Sequence, residues 1–192
     1  MKKLKKILIG SFILFIIISS CTIVGDSRRD GEDVDMKDPS LSIVLGYIDM
    51  SDAPSEINWL QIRQYRPKPQ RNRNSEIDEK MFYHLGIPKG SFQVAQFGYT
   101  PKVTFGNTVT TYTYSFTSEG KNPSAIRIKI PGVYYLGSYK YKPYKHSKYI
   151  MEILKTPSEK DLLNTLLKNV LLKNKEKYAL KIKMVRNRLK EL

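Results

Sequence analysis

The sequence predicts a mainly-β chain: an antiparallel β-sandwich closed by a C-terminal helical segment. Three observations carry this. Short runs of alternating apolar and polar residues recur between Leu41 and Lys155, the period of a strand with one face buried. Turn signals stand between the runs, at Pro88-Lys89-Gly90 and Pro131-Gly132. After Thr156 the period changes, and leucines recur three and four residues apart, as on one face of a helix.

The elements follow in order. From Leu41, Ile43, Leu45 and Tyr47 alternate with Val44, Gly46 and Ile48. Both sets are mostly apolar, which is the pattern of a strand buried on both faces. Trp59 to Tyr65 reads as a second strand, followed by a Pro-, Arg- and Asn-rich loop from Arg66 to Asn74. Met81 to Leu85 and Phe92 to Tyr99 read as two more strands across the Pro88-Lys89-Gly90 turn. Val109 to Phe116 alternates threonine and serine with aromatics, and Ile126, Ile128 and Ile130 alternate with Arg127 and Lys129. Val133 to Tyr141 is the last clear strand. Thr156-Pro157-Ser158-Glu159 then offers a threonine cap, a proline at the first helical position and a glutamate three residues after the cap. Leu162, Leu163, Leu166, Leu167, Val170 and Leu171 form the buried stripe, Lys173-Asn174-Lys175 breaks it, and Tyr178, Ile182, Val185 and Leu189 mark a second helix.

The start of the chain is an address. Lys2, Lys3, Lys5 and Lys6 precede a run from Ile7 to Ile18 that is apolar apart from Ser11, and Ser19-Ser20-Cys21 follow. A basic region, a short apolar run and small residues at a cut site make a secretory signal. The run is well short of the ~20 residues that a spanning helix needs. The Ile18-Ser19-Ser20-Cys21 sequence resembles the bacterial lipobox: aliphatic, variable, small, cysteine. That resemblance implies cleavage before Cys21 and a diacylglyceryl thioether on its sulfur, the one cysteine in the chain. Apart from this covalent lipid no cofactor is expected, and anchoring by two or three acyl chains is effectively stable. Thr22 follows the cysteine; in enteric bacteria an aspartate there retains lipoproteins at the inner membrane, so its absence favours the outer membrane.

Residues 22–40 are polar and rich in aspartate, with no apolar period. They are expected to form a flexible tether. A calcium loop does not fit, because no glutamate stands at the twelfth position from a plausible first ligand. The expected organisation is therefore a leader at 1–20, a lipidated tether at 21–40, a sandwich at 41–155 and helices at 156–192.

Two segments carry a second resemblance. Tyr83-His84-Leu85-Gly86-Ile87-Pro88-Lys89-Gly90-Ser91-Phe92 resembles the aromatic, leucine-x-proline-x-glycine-x-aromatic turn of carboxypeptidase regulatory-like domains, small sandwiches related in shape to transthyretin. Ile128 to Gly137 is similar to a Pro-Gly-aromatic-Leu-Gly strand pair of bacterial lipoproteins of unknown function. The resemblance implies a β-sandwich and no common catalytic site.

Composition narrows the function. The chain has 192 residues, 33 basic and 18 acidic, a net charge of +15. Loss of the leader takes four lysines and no acid, leaving 29 basic residues and a charge of +11. A basic protein meets anionic partners, and export replaces nucleic acid with lipid head groups, lipopolysaccharide and cell-wall polymers. No nucleic acid partner is expected. With Cys21 acylated there is no disulfide and no cysteine-based metal site or nucleophile.

A search for chemistry finds little. His84 and His146 are the only histidines; His84, in a strand, is expected to be half-buried and hydrogen-bonded. There is no Gly-x-Ser-x-Gly elbow and no His-Glu-x-x-His pair. From Lys80 to Lys155 the only acids are Glu119 and Glu152, which argues against a carboxylate-driven hydrolase. No metal site is expected.

Two basic segments stand out. The first is Tyr139-Lys140-Tyr141-Lys142-Pro143-Tyr144-Lys145-His146-Ser147-Lys148-Tyr149. Its lysines, Lys140, Lys142, Lys145 and Lys148, could pair with anions and its tyrosines could stack on sugars. Alternatively, tyrosines pack inward and lysines outward, guarding an edge strand. The second is Arg63, Arg66, Lys68, Arg71 and Arg73. If the two lie side by side they form an anion-binding surface. The expectation is a lipid-anchored envelope protein with a non-catalytic structural or adhesive role. The alternatives are a binding module for anionic polymers (lipopolysaccharide, cell wall or glycosaminoglycan) and, last, a hydrolase.

Overall fold

The computed structural model describes residues 34–101, 111–116, 122–144 and 148–192. These comprise β1 (Ser42–Asp49), β2 (Trp59–Arg66), β3 (Arg71–Asn74), β4 (Glu76–Asp78), β5 (Met81–Ile87), β6 (Gly90–Tyr99), β7 (Tyr112–Tyr114), β8 (Ile126–Ile128), β9 (Val133–Tyr144), β10 (Lys148–Leu154), α1 (Glu159–Asn169), a 3₁₀ turn (Leu171–Asn174) and α2 (Ala179–Glu191). The expected sandwich with a C-terminal helical segment is what forms. One sheet runs β10-β9-β1-β5-β4. The other runs β3-β2-β6, with β7 and β8 pairing with different stretches of β6.

Burial of β1 on both faces gives the molecule three layers. Val44 and Ile48 point into a core shared with Leu60, Ile62, Phe82, Phe92, Val94 and Phe97, between the two sheets. Ile43 and Leu45 point the other way, into a core with Met81, Leu85, Leu162, Leu163, Leu166, Leu171, Ile182 and Val185. The helices therefore cover the back of the first sheet, and the sequence needs apolar residues at successive positions of β1. Gly46 completes this fit: a Cβ there would collide with the Phe82 ring.

One pairing departs from the antiparallel expectation. β1 runs antiparallel to β5 but parallel to β9, with Ile43 opposite Val133 and Ile48 opposite Tyr139. The chain enters β9 from β8, which belongs to the other sheet, and this crossover sets the direction. The other pairings among the described residues are antiparallel.

Three further expectations change. Arg71–Asn74 is a strand rather than loop: it pairs with β2, Gln61 opposite Asn74 and Gln64 opposite Arg71. The helix cap is Ser158, two residues after Thr156. The Asp161 amide donates to the Ser158 hydroxyl, and the Asp161 carboxylate accepts from the Ser158 amide and hydroxyl, a reciprocal box that satisfies otherwise orphaned donors. Ser138, buried in β9, donates to the Pro157 carbonyl at 2.7 Å and ties this helix start to the sheet. At the other end, Arg188 of α2 bonds Glu159 at 2.7 Å and 3.1 Å and Glu191 at 3.0 Å, clasping the two helices.

The third change concerns the tether. Residues 34–40 lie on the body instead of forming a free spacer up to residue 40. Met36 packs into the helix-side core, and a Cβ on Gly86 would collide with Val34. Asx turns shape this stretch: the Asp35 carboxylate accepts from the Lys37 amide and that of Asp38 from the Ser40 amide. The anchor is Lys181 of α2. It is fully buried, and its Nζ donates to the Leu41 carbonyl at 2.9 Å and the Asp38 carbonyl at 3.4 Å. Burial pushes its pKa down against the opposing pull of Asp38 and Asp35.

A chain truncated before Leu41 loses the Met36 contact and one carbonyl partner of a buried ammonium. It should melt roughly 4–8 °C below a chain starting at Thr22, about 2 kcal/mol at ~2–4 °C each. Equal midpoints by calorimetry would show that residues 34–40 contribute nothing to the fold.

Alkali supplies a second test. Burial pushes the Tyr139 phenol up to about 12, and burial with the nearby Glu76 and Asp78 does the same for Tyr83. A folded pKa above the unfolded one gives stability that is complete below pH ~10 and lost as pH rises towards the folded value. For buried Tyr139 a two-unit rise corresponds to about 3 kcal/mol. The thermal midpoint should therefore fall between pH 10 and pH 12, tracked by tyrosinate absorbance, and Tyr139→Phe should shallow that fall. A flat profile through pH 12 would contradict the assignment.

Candidate binding surface

Strand alternation places the first basic segment. In β9, Tyr139 and Tyr141 are buried and face the other sheet, while Lys140 and Lys142 take the opposite face. This is the inward-tyrosine, outward-lysine arrangement. Tyr141 stacks on Tyr149 at 5.2 Å, and Tyr114 meets both edge-on. Tyr139, Tyr141 and Tyr149 belong to the core and form no stacking platform, while Tyr144 is exposed. The edge-guard explanation of the lysines, however, fails on position: β9 lies between β10 and β1, so Lys140 and Lys142 are not on an edge strand.

Those two lysines are neutralised by carboxylates. Lys140 Nζ lies 3.1 Å from Asp52 and 4.0 Å from Asp49, and Lys142 lies 3.2 Å from Glu152. Asp49 also accepts from Lys80 at 2.8 Å. Burial raises the Asp49 carboxyl, but the bonds from Lys80 and Ser51 outweigh it and hold the pKa below the usual carboxylate range. Lys148 is exposed at the start of β10. Lys145 and His146 lie outside the described residues, as does Cys21.

The second basic segment lies on the other sheet and at the other edge of the sandwich. β3 is the outermost strand of its sheet, and the contacts of β2 run to β4. β10 and β9 instead lie against β7, through Tyr114, Tyr141 and Tyr149. The two basic segments are therefore not brought together.

The outer face of the second sheet makes a different site. Leu60, Ile62, Phe92 and Val94 point into the core, so Gln61, Arg63, Ser91 and Gln93 point away from it. Pairing aligns them in rows across the strands. Asn74, Gln61 and Gln96 share one row, and Asn72, Arg63 and Gln93 the next. A slip in register between Gln64 and Arg66 puts Arg66, rather than Tyr65, opposite Ser91, and with Arg127 these form the third. Strands lie about 4.8 Å apart, so Arg66 and Arg127 stand roughly 10 Å from each other at their backbones. Arg63 Nε donates to the Asn72 side chain at 3.0 Å and Gln61 to Asn74 at 3.3 Å, which holds the amides in place. Trp59 packs over Gly98 at the far end of this face: a Cβ on Gly98 would meet the indole at 2.7 Å. None of these aligned positions is acidic.

Of the five residues in the second segment, Arg63 and Arg66 belong to this face, and Lys68 is exposed in the loop beside it. Arg71 and Arg73 are opposite the inward-facing Gln64 and Ile62 and so lie on the reverse. Arg73 lines a depression with Val34, Asp35, Asp38 and Pro88. Arg127 and Trp59 are additions that sequence reading missed. The alternation around Arg127 was visible, but its place beside Ser91 depends on a pairing between residues about 36 positions apart.

His84 is half-buried, and its Nδ1 accepts the Gly86 amide at 3.0 Å, as expected for a structural histidine. Among the described residues no cluster of His, Cys, Asp and Glu could hold a metal ion, and no helix is long and apolar enough to cross a membrane. The chain matches no known protein family, no curated protein sequence and no solved structure.

Proposed function

We propose that this chain is a lipid-anchored envelope protein with a non-catalytic, adhesive role, and that the outer face of its second sheet binds an anionic polysaccharide. The observation that carries the binding reading is the row Arg66-Ser91-Arg127 beside Arg63, on a face whose aligned positions hold no acid. Guanidinium groups bind carboxylate, sulfate or phosphate through paired, charge-assisted bonds. The amides of Gln61, Gln93, Gln96, Asn72 and Asn74 supply donors and acceptors for sugar hydroxyls. Trp59 offers an aromatic surface at the end of the row. The chemistry suits lipopolysaccharide, an acidic cell-wall polymer or a glycosaminoglycan. The leader supports the location: an exported chain with Thr22 after Cys21 is placed by this reading at the outer membrane.

The binding test compares two sets of substitutions on heparin and lipopolysaccharide columns. Arg63→Gln with Arg66→Gln and Arg127→Gln should weaken retention at least about tenfold, as loss of several charge-assisted bonds requires. Lys140→Gln with Lys142→Gln should change it little, because carboxylates already neutralise those lysines. The reverse ranking would reject the outer face as the site. The fold should survive both sets, since exposed charges contribute little to stability.

The anchor has its own test. Cys21→Ala should abolish incorporation of a labelled fatty acid and leave the leader uncleaved, because the thioether forms on that sulfur. Label retained by the variant would reject the lipoprotein assignment while leaving the binding face untouched.

A further inference from the structure

We propose that two copies of this chain associate edge to edge through β10, antiparallel, with Ile150 of one copy opposite Ile150 of the other. β10 is the outermost strand of the first sheet, and among the described residues its only strand partner is β9. Seven residues of strand thus present one row of backbone donors and acceptors to a neighbour, the template for strand addition.

The side chains fit such a partner. Ile150 and Ile153 are 48% and 68% exposed. Tyr144 and Tyr112 are exposed on β9 and β7, so Ile130 beside the helices and Leu192 at the end of α2 are the large apolar groups among the described residues that are exposed away from this side. The strand is also rigidly held. The Tyr149 hydroxyl accepts from the Ser115 amide at 2.7 Å and donates to the Ser115 carbonyl at 2.8 Å, joining the edges of the two sheets. A held strand loses little entropy on pairing.

Charge selects the occupant and the register. Lys148, Ile150 and Glu152 share one face of β10, opposite Tyr144, Lys142 and Lys140 of β9; Glu152 already meets Lys142 of its own chain at 3.2 Å through one oxygen, and its other oxygen is the one offered to a second cation. A two-fold axis through Ile150 puts Lys148 of each copy opposite Glu152 of the other, and Tyr149 opposite Met151. Opposite charges thus flank an apolar pair on one face, and an aromatic–thioether pair lies on each side of the axis on the other. A contact of this kind is isologous and closes as a dimer. Its area is below the ~1,200 Å² of a standard interface, so association is weak in dilute solution. It does not depend on the lipid at Cys21 or on the polysaccharide face.

Cysteine crosslinking of the purified full-length chain tests the register. In antiparallel pairs opposite Cα atoms lie about 4.5–5.5 Å apart, within disulfide reach. Ile150→Cys should therefore give a covalent dimer on mild oxidation, above the background set by Cys21 in the unsubstituted chain. Lys148→Cys alone and Glu152→Cys alone should stay near that background, because each then faces its own copy roughly 13 Å away along the strand. Mixed together, those two variants should crosslink. Charge reversal adds a reading free of cysteine chemistry: Lys148→Glu or Glu152→Lys should each weaken dimerisation about tenfold in sedimentation, and the double reversal should restore it. Unchanged thermal midpoints check that each variant is folded. Crosslinking without preference for position 150, no crosslinking above background, or a double reversal that fails to restore association would each overturn the proposal.

Discussion

The structure depends on β1 being covered on both faces. Ile43 and Leu45 lie under the helices while Val44 and Ile48 lie under the second sheet. A strand of this kind cannot sit at a surface, so it forces a layer onto each side of its sheet. The helical layer exists for that reason, and its leucines are spaced to meet β1 and β5. The layer then recruits the N-terminal segment, because Lys181, buried in α2, satisfies its ammonium on the carbonyls of Leu41 and Asp38. One face of the second sheet is used up by the inter-sheet core. Its other face carries the arginines, amides and indole.

Charge on this protein is sorted by neighbours rather than by local density. The stretch from Tyr139 to Tyr149 is the most conspicuous basic run in the sequence, yet Lys140 and Lys142 meet Asp52, Asp49 and Glu152. Arg63 and Arg66 stand in the second basic segment, but Arg127 lies some sixty positions further on, alone between isoleucines. Strand pairing gathers them on one face and aligns Arg66 with Arg127 across Ser91. Strand pairing fixes the backbone positions of these arginines and Asn72 holds the Arg63 side chain, and a planar guanidinium offers paired donors where a lysine offers a point charge.

Period-two patterning made most strands legible, and the double apolar pattern of β1 correctly marked it as buried on both faces. The inward tyrosines of β9 were legible too. What patterning could not reveal was partnership. That β9 lies beside β1, in parallel, depends on contacts between residues some ninety positions apart. β3 has no apolar residue at all, so its strand character comes entirely from pairing with β2. Lys181 was a different case. It sits four residues before Val185 and three after Tyr178, on the buried side of its helix, but lysine at such a position reads as solvated unless the facing carbonyls are known. The cap moved from Thr156 to Ser158 because Asp161 is placed to return the bond, a signal present in the sequence but competing with the Pro157 motif.

The central claim is that the outer face of the second sheet is where this chain meets its partner. Hydrogen exchange measured with and without an acidic polysaccharide such as heparin tests it most directly. The account predicts slowed exchange confined to amides of β2, β3, β6 and β8, with α1, α2 and β9 unchanged. Protection confined to the helices or to the segment joining β9 and β10 would contradict it.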